Sequence, residues 1–343
     1  MTNAPKIAVL GAGANGASIG VDLTRAGLDV TLIEQWPAHV EAMRASGATI
    51  VMPEETLHQE VRVLHLCQVA EVRERFDIVL MLMKAYDTRW AAELISSVLA
   101  PEGLLVGVQN GMTVDTIADV VGPERTIGCV IEITSMMFEP GVVQRHSAHD
   151  RSWFAVGSID PATADRVGEV TALLEHVGSV EVVDDIRAAK WMKLVSNATT
   201  LVTTGILGLP MVEAAAIPEM RALMLRSGEE ALAATTALGN PVLPIFGLTP
   251  EAVEDPATVV ETLLDTLLGG FVMPDSKTTV LQDWMKGRRS EVDELNGLVA
   301  RTLREHGQAA PVNEAVVELA HRIERGELEP GPHNLELLLE LAG

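Results

Sequence analysis

The sequence predicts an α/β domain with a doubly wound parallel sheet over residues 1–184, followed by an all-α domain over residues 185–343. Three observations lead to this fold class. Short apolar runs alternate with helical stretches in the first half, which is typical of consecutive βαβ units. A glycine-rich loop joins the first predicted strand to the first predicted helix. After Asp184-Asp185 the strand signals stop, and long helical stretches follow.

The predicted strands of the first domain are apolar on both faces, as strands covered by helices on both sides of a sheet must be. Helical stretches connect them, and a turn at Pro101-Glu102-Gly103 separates one helix from the next strand. A further helix opens at Asp160-Pro161. The predicted strands are Ile7–Leu10, Val30–Ile33, Ile78–Met83, Leu104–Val108 and Val180–Val183, with a strand-rich segment from Ile127 to Val156.

The second domain is predicted to contain only helices, interrupted at residues 205–210, 239–244 and 269–275. The stretch predicted to be its final helix carries Val316, Ala320 and Ile323 on one stripe. Gly326 follows that stripe, at the position where a helix commonly ends.

Composition narrows the class of function. Apolar residues make up 48% of the chain and charged residues 21%, which is enough apolar material for a packed core. The formal net charge of −23 argues against nucleic-acid binding and against anionic membranes. Cys67 and Cys129 show no metal-ligand spacing, and no run reaches the roughly 18 apolar residues of a membrane helix. We therefore expect a soluble, cytoplasmic protein without a bound metal.

The glycine loop is the strongest motif in the chain. It fits the pattern G-x-G-x-x-G, directly after an apolar strand and at the start of a helix, which is the context of a dinucleotide-binding Rossmann fold. Amide groups at the helix N-terminus would then face the phosphates. The alternative is a glycine-rich turn with no ligand. The predicted cofactor-binding residues of the loop are Gly11, Ala12, Gly13, Ala14, Asn15 and Gly16.

Glu34 closes the second predicted strand, 18 residues after Gly16. A carboxylate there can accept hydrogen bonds from the ribose hydroxyls and repels a 2′-phosphate, which favours NAD over NADP. Gln35, the next residue, brings no positive charge for that phosphate. The alternative is a solvated acid at a strand end.

Reduction of a ketone by hydride creates an alkoxide that needs a proton and a positive partner. Lys190, Lys193 and Asn197 are spaced so that they share one face of a helix, among apolar neighbours. A lysine on this face is a candidate proton donor. The alternative is a surface lysine with a structural asparagine.

Two further polar residues follow predicted strands of the first domain. Ligands gather outside the carboxyl ends of the strands in open α/β sheets, and Asn110 and Lys84 both lie there. Asn110 is a candidate for binding substrate and cofactor, or a turn residue ahead of Gly111. Lys84 is a candidate for binding ribose or phosphate, or an ordinary loop lysine.

Taken in order, these motifs resemble the ketopantoate reductase (2-dehydropantoate 2-reductase) family over nearly the whole chain. The resemblance rests on Gly11–Gly16, Lys84-Ala85, Gln109-Asn110-Gly111-Met112, Lys193-x-x-x-Asn197, Gln282-Asp283, Ser290-Glu291-Val292-Asp293-x-x-Asn296-Gly297 and Ala310-Pro311-Val312-Asn313.

The resemblance implies a Rossmann domain, a helical domain and a substrate cleft between them, in a homodimer. It implies that Lys193 is the proton donor and that Glu291 is placed against this lysine or against a substrate hydroxyl. Asn110 and Asn197 would then hold the substrate or the lysine. An ammonium group suits this chemistry, because it can attract a 2-oxocarboxylate and stabilise the alkoxide.

The chain departs from the family pattern at three positions. Gln35 stands where NADP-using members carry an arginine. Leu201 replaces a second substrate-binding asparagine, one helical turn after Asn197, and makes that part of the pocket apolar. Thr279 replaces a serine that contacts the substrate carboxylate, and keeps a hydroxyl.

The leading hypothesis is an NAD(P)-dependent oxidoreductase that reduces a 2-oxoacid such as 2-dehydropantoate, with NADH favoured by Glu34. A second hypothesis keeps the fold and the lysine but has a less polar ketone or secondary alcohol as substrate, because of Leu201. A third is a protein that senses NAD without catalysis. Loss of Lys193 would separate the third from the others; if activity survived that change, Lys190 would become the candidate donor.

Overall fold

The computed structural model describes residues 4–343 and divides them into two compact units. The first unit extends to Arg187, and the second comprises Ala188–Gly343. The first has a mainly parallel sheet with helices and the second is helical, which confirms the predicted fold class.

Twelve strands and the first six helices belong to the first unit. The strands are β1 Lys6–Leu10, β2 Asp29–Glu34, β3 Ala48–Val51, β4 Thr56–Gln59, β5 Arg62–His65, β6 Phe76–Met81, β7 Leu99–Val108, β8 Thr126–Glu132, β9 Ser135–Glu139, β10 Val142–Arg145, β11 Trp153–Ser158 and β12 Ser179–Val182. The helices are α1 Ala14–Arg25, α2 Pro37–Ser46, α3 Thr88–Ser96, α4 Val114–Val121, α5 Pro161–Ala164 and α6 Val167–Leu174.

The larger sheet has eight strands in the order β12-β11-β8-β7-β6-β1-β2-β5. Strands β5, β2, β1, β6, β7 and β8 pair in parallel, which is the strand order of a dinucleotide-binding sheet. β11 runs antiparallel to β8. The sheet is therefore mainly parallel, whereas the prediction was a parallel sheet throughout. Alternate residues of β1 enter different cores: Ile7 and Val9 pack in one, Ala8 and Leu10 in the other. Both faces of the sheet are therefore covered.

β7 differs from the prediction, because it begins at Leu99 and runs through the predicted turn at residues 101–103. Leu99 pairs with Phe76, and Leu104 pairs with Ile78. Between these two pairs the chain advances by five residues in β7 and by only two in β6. The Pro-Glu-Gly segment is thus a bulge inside one strand. Proline and glycine are common both in such bulges and in loops between a helix and a strand, so the sequence alone does not distinguish the two.

A smaller sheet in the order β4-β3-β10-β9 comes from two distant segments. β3 and β4 follow α2, whereas β9 and β10 follow β8, and β3 pairs with β10 in parallel. This sheet contacts α1, the helix after the glycine loop.

The second unit consists of helices around a core of its own. They are α7 Ile186–Ile206, whose first two residues belong to the first unit, α8 Met211–Ala215, α9 Pro218–Ala237, α10 Val259–Gly270, α11 Thr279–Met285, α12 Asn296–Glu305, α13 Pro311–Glu324 and α14 Asn334–Ala342. The apolar stripe predicted for α13 is buried. The prediction that α13 is the final helix was wrong, because α14 follows it. The loop before α14 is fixed by the side chain of Asn334, which donates to the carbonyls of Ile206 and Glu329 at 3.0 and 2.9 Å.

Candidate active site

The glycine loop Gly11–Gly16 follows β1 and leads into α1, whose N-cap is Gly13. Gly11 has φ +92°, and a Cβ there would lie 2.9 Å from the carbonyl carbon of Leu82. A Cβ at Gly16 would lie 2.1 Å from the carbonyl oxygen of Gly11. A Cβ at Gly13 would meet nothing within 4 Å. The first and last glycines are thus required by close packing, whereas Gly13 faces open space.

This loop is suited to an anion. The amides of Gly11 and Ala12 both donate to the carbonyl of Ile33, at 2.9 and 3.2 Å, which fixes the loop to β2. No acidic residue lies in the first turn of α1, so the positive end of the helix dipole is not opposed there. The residues present therefore fit the diphosphate of a dinucleotide.

Glu34 is the last residue of β2 and is only 6% exposed. Its Oε1 accepts a hydrogen bond from the backbone amide of Trp36 at 2.8 Å, whereas Gln35 is exposed. The carboxylate is consequently held in place at the carboxyl end of the strand that neighbours β1.

Lys84 and Asn110 follow the next two parallel strands, β6 and β7, and are both half-buried. Gln109, the residue before Asn110, connects the loops that follow these two strands. Its side-chain amide donates to the carbonyl of Met83 at 2.7 Å and to the hydroxyl of Thr88 at 3.0 Å. The predicted cofactor residues of the first unit therefore lie along one edge of the sheet, at the carboxyl ends of β2, β1, β6 and β7.

His39 was missed by the sequence reasoning, although it contacts the glycine loop. It lies on α2, is completely buried, and its Nε2 is 3.0 Å from the carbonyl oxygen of Ala12. The backbone amide of Gly141 donates to its Nδ1 at 2.8 Å. Burial lowers the pKa of His39, and this effect exceeds the opposite effect of the hydrogen bond to Ala12. No local pattern indicates this role, because Gly141 is remote in sequence.

The candidate catalytic residues lie in the second unit. Lys193 and Asn197 are one turn apart on α7, with exposures of 7% and 2%, and Lys190 is buried on the same helix. Glu291, between α11 and α12, is 4% exposed. An ammonium and a carboxylate of the same unit are thus largely buried, which excludes the alternative of a surface lysine.

Phe246 is a second residue that the sequence reasoning missed. The Nζ of Lys193 lies 4.8 Å from the centroid of its ring, within the range of a cation–π contact. The ring also packs against that of Phe271, with centroids 5.2 Å apart. Phe246 has φ +61°, among the described residues the only positive φ outside glycine. The turn signals of Pro244 and Gly247 on either side could have drawn attention to this strained position.

Leu201 continues the stripe of Lys193 and Asn197 along α7 and is half-buried. Its carbonyl accepts a hydrogen bond from the hydroxyl of Thr278 at 2.9 Å, and that hydroxyl also caps α11 by accepting the amide of Leu281 at 3.2 Å. Thr279 is the first residue of α11 and is half-buried. The beginning of α11 is therefore anchored to the helix that carries Lys193.

Within residues 4–343, no group of three or more His, Cys, Asp and Glu side chains is arranged to hold a metal ion. Over the same range, no helix combines the length and the apolar character needed to cross a membrane.

Two family models match the chain. Residues 7–159 match "Ketopantoate reductase PanE/ApbA", and residues 185–324 match "Ketopantoate reductase PanE/ApbA C terminal". A 2-dehydropantoate 2-reductase of Mesorhizobium japonicum is 28% identical over 345 aligned residues, covering 94% of this chain and 99% of the relative.

Solved structures give the same picture. A PanE/ApbA family ketopantoate reductase from Ralstonia eutropha is 27% identical with a TM-score of 0.78, over 94% of this chain and 99% of that one. D-mandelate dehydrogenase, in its ternary structure with NADH and anilino(oxo)acetate, has a TM-score of 0.82 at 20% identity, with the same coverage. The second likeness concerns the fold alone.

Proposed function

Because the chain belongs to the ketopantoate reductase family of oxidoreductases, we propose that it reduces the ketone of a 2-oxoacid such as 2-dehydropantoate with a nicotinamide dinucleotide. The observation that carries this proposal is the buried stripe of Lys193 and Asn197 on α7. Buried ionisable groups occur preferentially at functional sites, and an ammonium beside an amide on one helix face suits an anionic substrate.

The glycine loop, Glu34, Lys84 and Asn110 would hold the dinucleotide, which supplies the hydride when bound. The amides at the start of α1 would bind the diphosphate, and Glu34 would accept the hydroxyls of the adenine ribose. The carboxylate of Glu34 repels a 2′-phosphate, and the neutral Gln35 brings no positive charge to offset this repulsion. NADH is therefore the proposed cofactor rather than NADPH.

Lys193 would attract the substrate carboxylate, polarise the ketone oxygen and donate a proton to the alkoxide. Asn197 would orient the substrate oxygen or the lysine by hydrogen bonding, and Asn110 would contribute a further amide. Glu291 would complement the charge of Lys193 or accept a substrate hydroxyl. Thr279 would offer its hydroxyl to the substrate carboxylate, next to the apolar side chain of Leu201.

The test is replacement of Lys193 by alanine. Turnover of NADH with a 2-oxoacid should fall by a factor on the order of 10² to 10⁴, as is usual when a general acid is removed. Dissociation constants for NADH, measured by fluorescence titration, should stay within about twofold, because the dinucleotide residues belong to the first unit.

Lys190→Ala is the matched variant, because this lysine lies on the same helix and is also buried. Retained turnover in Lys193→Ala combined with loss in Lys190→Ala would move the proton donor to Lys190. Binding of NADH by the unmodified protein, with no turnover of any 2-oxoacid, would favour the non-catalytic sensor.

A second candidate substrate is a 2-oxoacid with a bulky apolar side chain. The ring of Phe246 near the ammonium of Lys193 and the apolar Leu201 on the same stripe favour it. A protein of the same fold is a D-mandelate dehydrogenase. A kcat/KM higher for phenylglyoxylate than for 2-dehydropantoate would support this candidate, and the reverse order would support the first.

The family resemblance also implies a homodimer, and we propose this state for the chain. Multi-angle light scattering at micromolar concentration tests it directly, since a monomer and a dimer differ twofold in mass.

A further inference from the structure

His39 connects three segments that are far apart in sequence. It lies on α2, its Nε2 meets the carbonyl oxygen of Ala12 at 3.0 Å, and its Nδ1 meets the amide of Gly141 at 2.8 Å. A backbone amide can only donate, so Nδ1 is the unprotonated nitrogen of the ring. Nε2 consequently carries the hydrogen and donates it to Ala12. The two contacts together fix a single neutral tautomer.

The contact with Ala12 determines how the glycine loop presents its amides. In a trans peptide the carbonyl of one residue and the amide of the next point in opposite directions. The carbonyl of Ala12 is turned toward His39, so the amide of Gly13 is turned away from it. Gly13 is the N-cap of α1 and faces open space, the place where a diphosphate would approach.

The surroundings of His39 hold the ring rigidly. The ring of Trp36 stacks on it, with centroids 5.8 Å apart and an interplanar angle of 28°. The amide of Trp36 is in turn bound by Glu34, the proposed ribose ligand. Gly141 lies between β9 and β10 of the smaller sheet, and Ser135 of β9 hydrogen-bonds Asn15 of the glycine loop. The smaller sheet therefore supports the loop at two points.

We propose that His39 is a positioning residue for dinucleotide binding, which holds the Ala12–Gly13 peptide so that the amide of Gly13 faces the diphosphate. This inference rests on the proposed function, because it requires that the loop binds a dinucleotide. His39 touches neither the reacting atoms nor the substrate; it acts through the backbone of the loop.

Two amide variants separate the two contacts of the ring. The side-chain amide of Gln in His39→Gln reaches the position of Nε2 and can donate to Ala12. The shorter side chain in His39→Asn reaches only the position of Nδ1, so it keeps the contact with Gly141 and loses that with Ala12. The exposed His176 of the same unit provides the control His176→Gln.

The dissociation constants of NADH and NADPH are measured by fluorescence titration for all four proteins, together with KM for the cofactor and kcat. We expect His39→Gln and the control to stay within about threefold of the unmodified protein. His39→Asn should bind the dinucleotide about tenfold more weakly, the effect of one lost hydrogen bond. Its kcat at saturating cofactor should stay within about twofold, because the chemical step is untouched.

Equal dissociation constants for His39→Gln and His39→Asn would overturn the inference, as would a parallel loss of kcat and of folded protein in both variants. Either result leaves the proposed function intact, provided that the unmodified protein binds and turns over the dinucleotide. Failure of the unmodified protein to bind NADH or NADPH would refute the proposed function, and the inference with it.

Discussion

The carboxylate of Glu34 has one observed contact and one proposed role. It binds the amide of Trp36 through Oε1, and its charge lies at the strand end where a ribose is expected. These roles can be separated by Glu34→Gln, which keeps an oxygen acceptor for Trp36 and removes the charge.

We expect Glu34→Gln to bind NADPH about tenfold more tightly than the unmodified protein, because the repulsion of the 2′-phosphate is removed. Affinity for NADH should change little or decrease slightly. Fluorescence titration with both cofactors measures the ratio, and the exposed Glu55→Gln of the same unit is the control. An unchanged ratio of NADPH to NADH affinity would contradict the proposed role of Glu34.

The lowered pKa of His39 predicts a pH dependence of stability. Burial holds its pKa below the ordinary value in the folded state, so below about pH 6.5 the unfolded chain binds a proton that the folded protein does not. The contribution of neutral His39 is thus complete above that pH and is lost as the pH falls through the lowered pKa. Urea unfolding between about pH 5 and about pH 7 should show a smaller decrease of stability in His39→Gln. A decrease as steep as that of the unmodified protein would contradict this.

Single residues could be predicted from the sequence where their signal is local. The glycines of the loop and Glu34 lie next to the strands that position them, so spacing was sufficient to place them at the ends of β1 and β2, whereas their binding role stays a prediction. His39 and Phe246 could not be found in this way, because their partners Gly141 and Lys193 are distant in sequence. Only the folded chain brings each pair together.

The glycine loop and α1 form one element with two different requirements for glycine. Gly13→Ala should leave the melting temperature nearly unchanged, because its Cβ meets nothing within 4 Å, but should weaken dinucleotide binding by about tenfold. Gly16→Ala should lower the free energy of unfolding by about 1–3 kcal/mol, because its Cβ would press on the carbonyl of Gly11. Thermal unfolding and cofactor titration measure both effects. If Gly13→Ala were the less stable variant, the packing argument would be wrong.

A buried ion pair connects α1 to the smaller sheet. Arg145 of β10 is completely buried and donates to Asp22 of α1 at 2.6 Å. Its second terminal nitrogen donates to the hydroxyl of Ser152 and to the carbonyl of Val177, both at 2.8 Å. The guanidinium is thus well satisfied, which a buried charge requires. The helix after the glycine loop is consequently held by the same sheet that holds the loop.

Elements were predicted well where periodicity was unambiguous, and poorly where local signals conflicted with pairing. The residue types at 101–103 predict a turn, but β7 pairs with β6 both before and after these residues, so the strand continues. The stop signal at Gly326 is real, since its φ is +72°, but α14 follows after a short connection. A helix end indicates where one element finishes, and it does not indicate that no other follows.

For the whole molecule, the matches to both family models confirm the family resemblance and the enzyme class inferred from the motifs. Several short motifs in register were informative because each occupied a different element. The substrate could not be predicted in the same way, because only the fold brings the ring of Phe246 to 4.8 Å from the Nζ of Lys193.

The first unit should fold without the second. The two core clusters on either face of its large sheet are made only of residues before 181. We expect a chain ending at Arg187 to unfold cooperatively and to bind the dinucleotide within about threefold of the full chain, without turnover. Circular dichroism and cofactor titration are the measurements. Absence of a cooperative transition would show that the helical unit is needed for folding.

The hydrogen bond between His39 and Gly141 spans 102 positions, and the parallel pairing of β3 with β10 closes a similar loop. A ribosome has made β1, α1 and β2 long before it reaches Gly141. On the nascent chain Nδ1 of His39 therefore lacks its donor until Gly141 is made, and the closing of so long a loop is slow. We therefore expect the imidazole of His39 to be fixed in its single tautomer only late in the biogenesis of this protein.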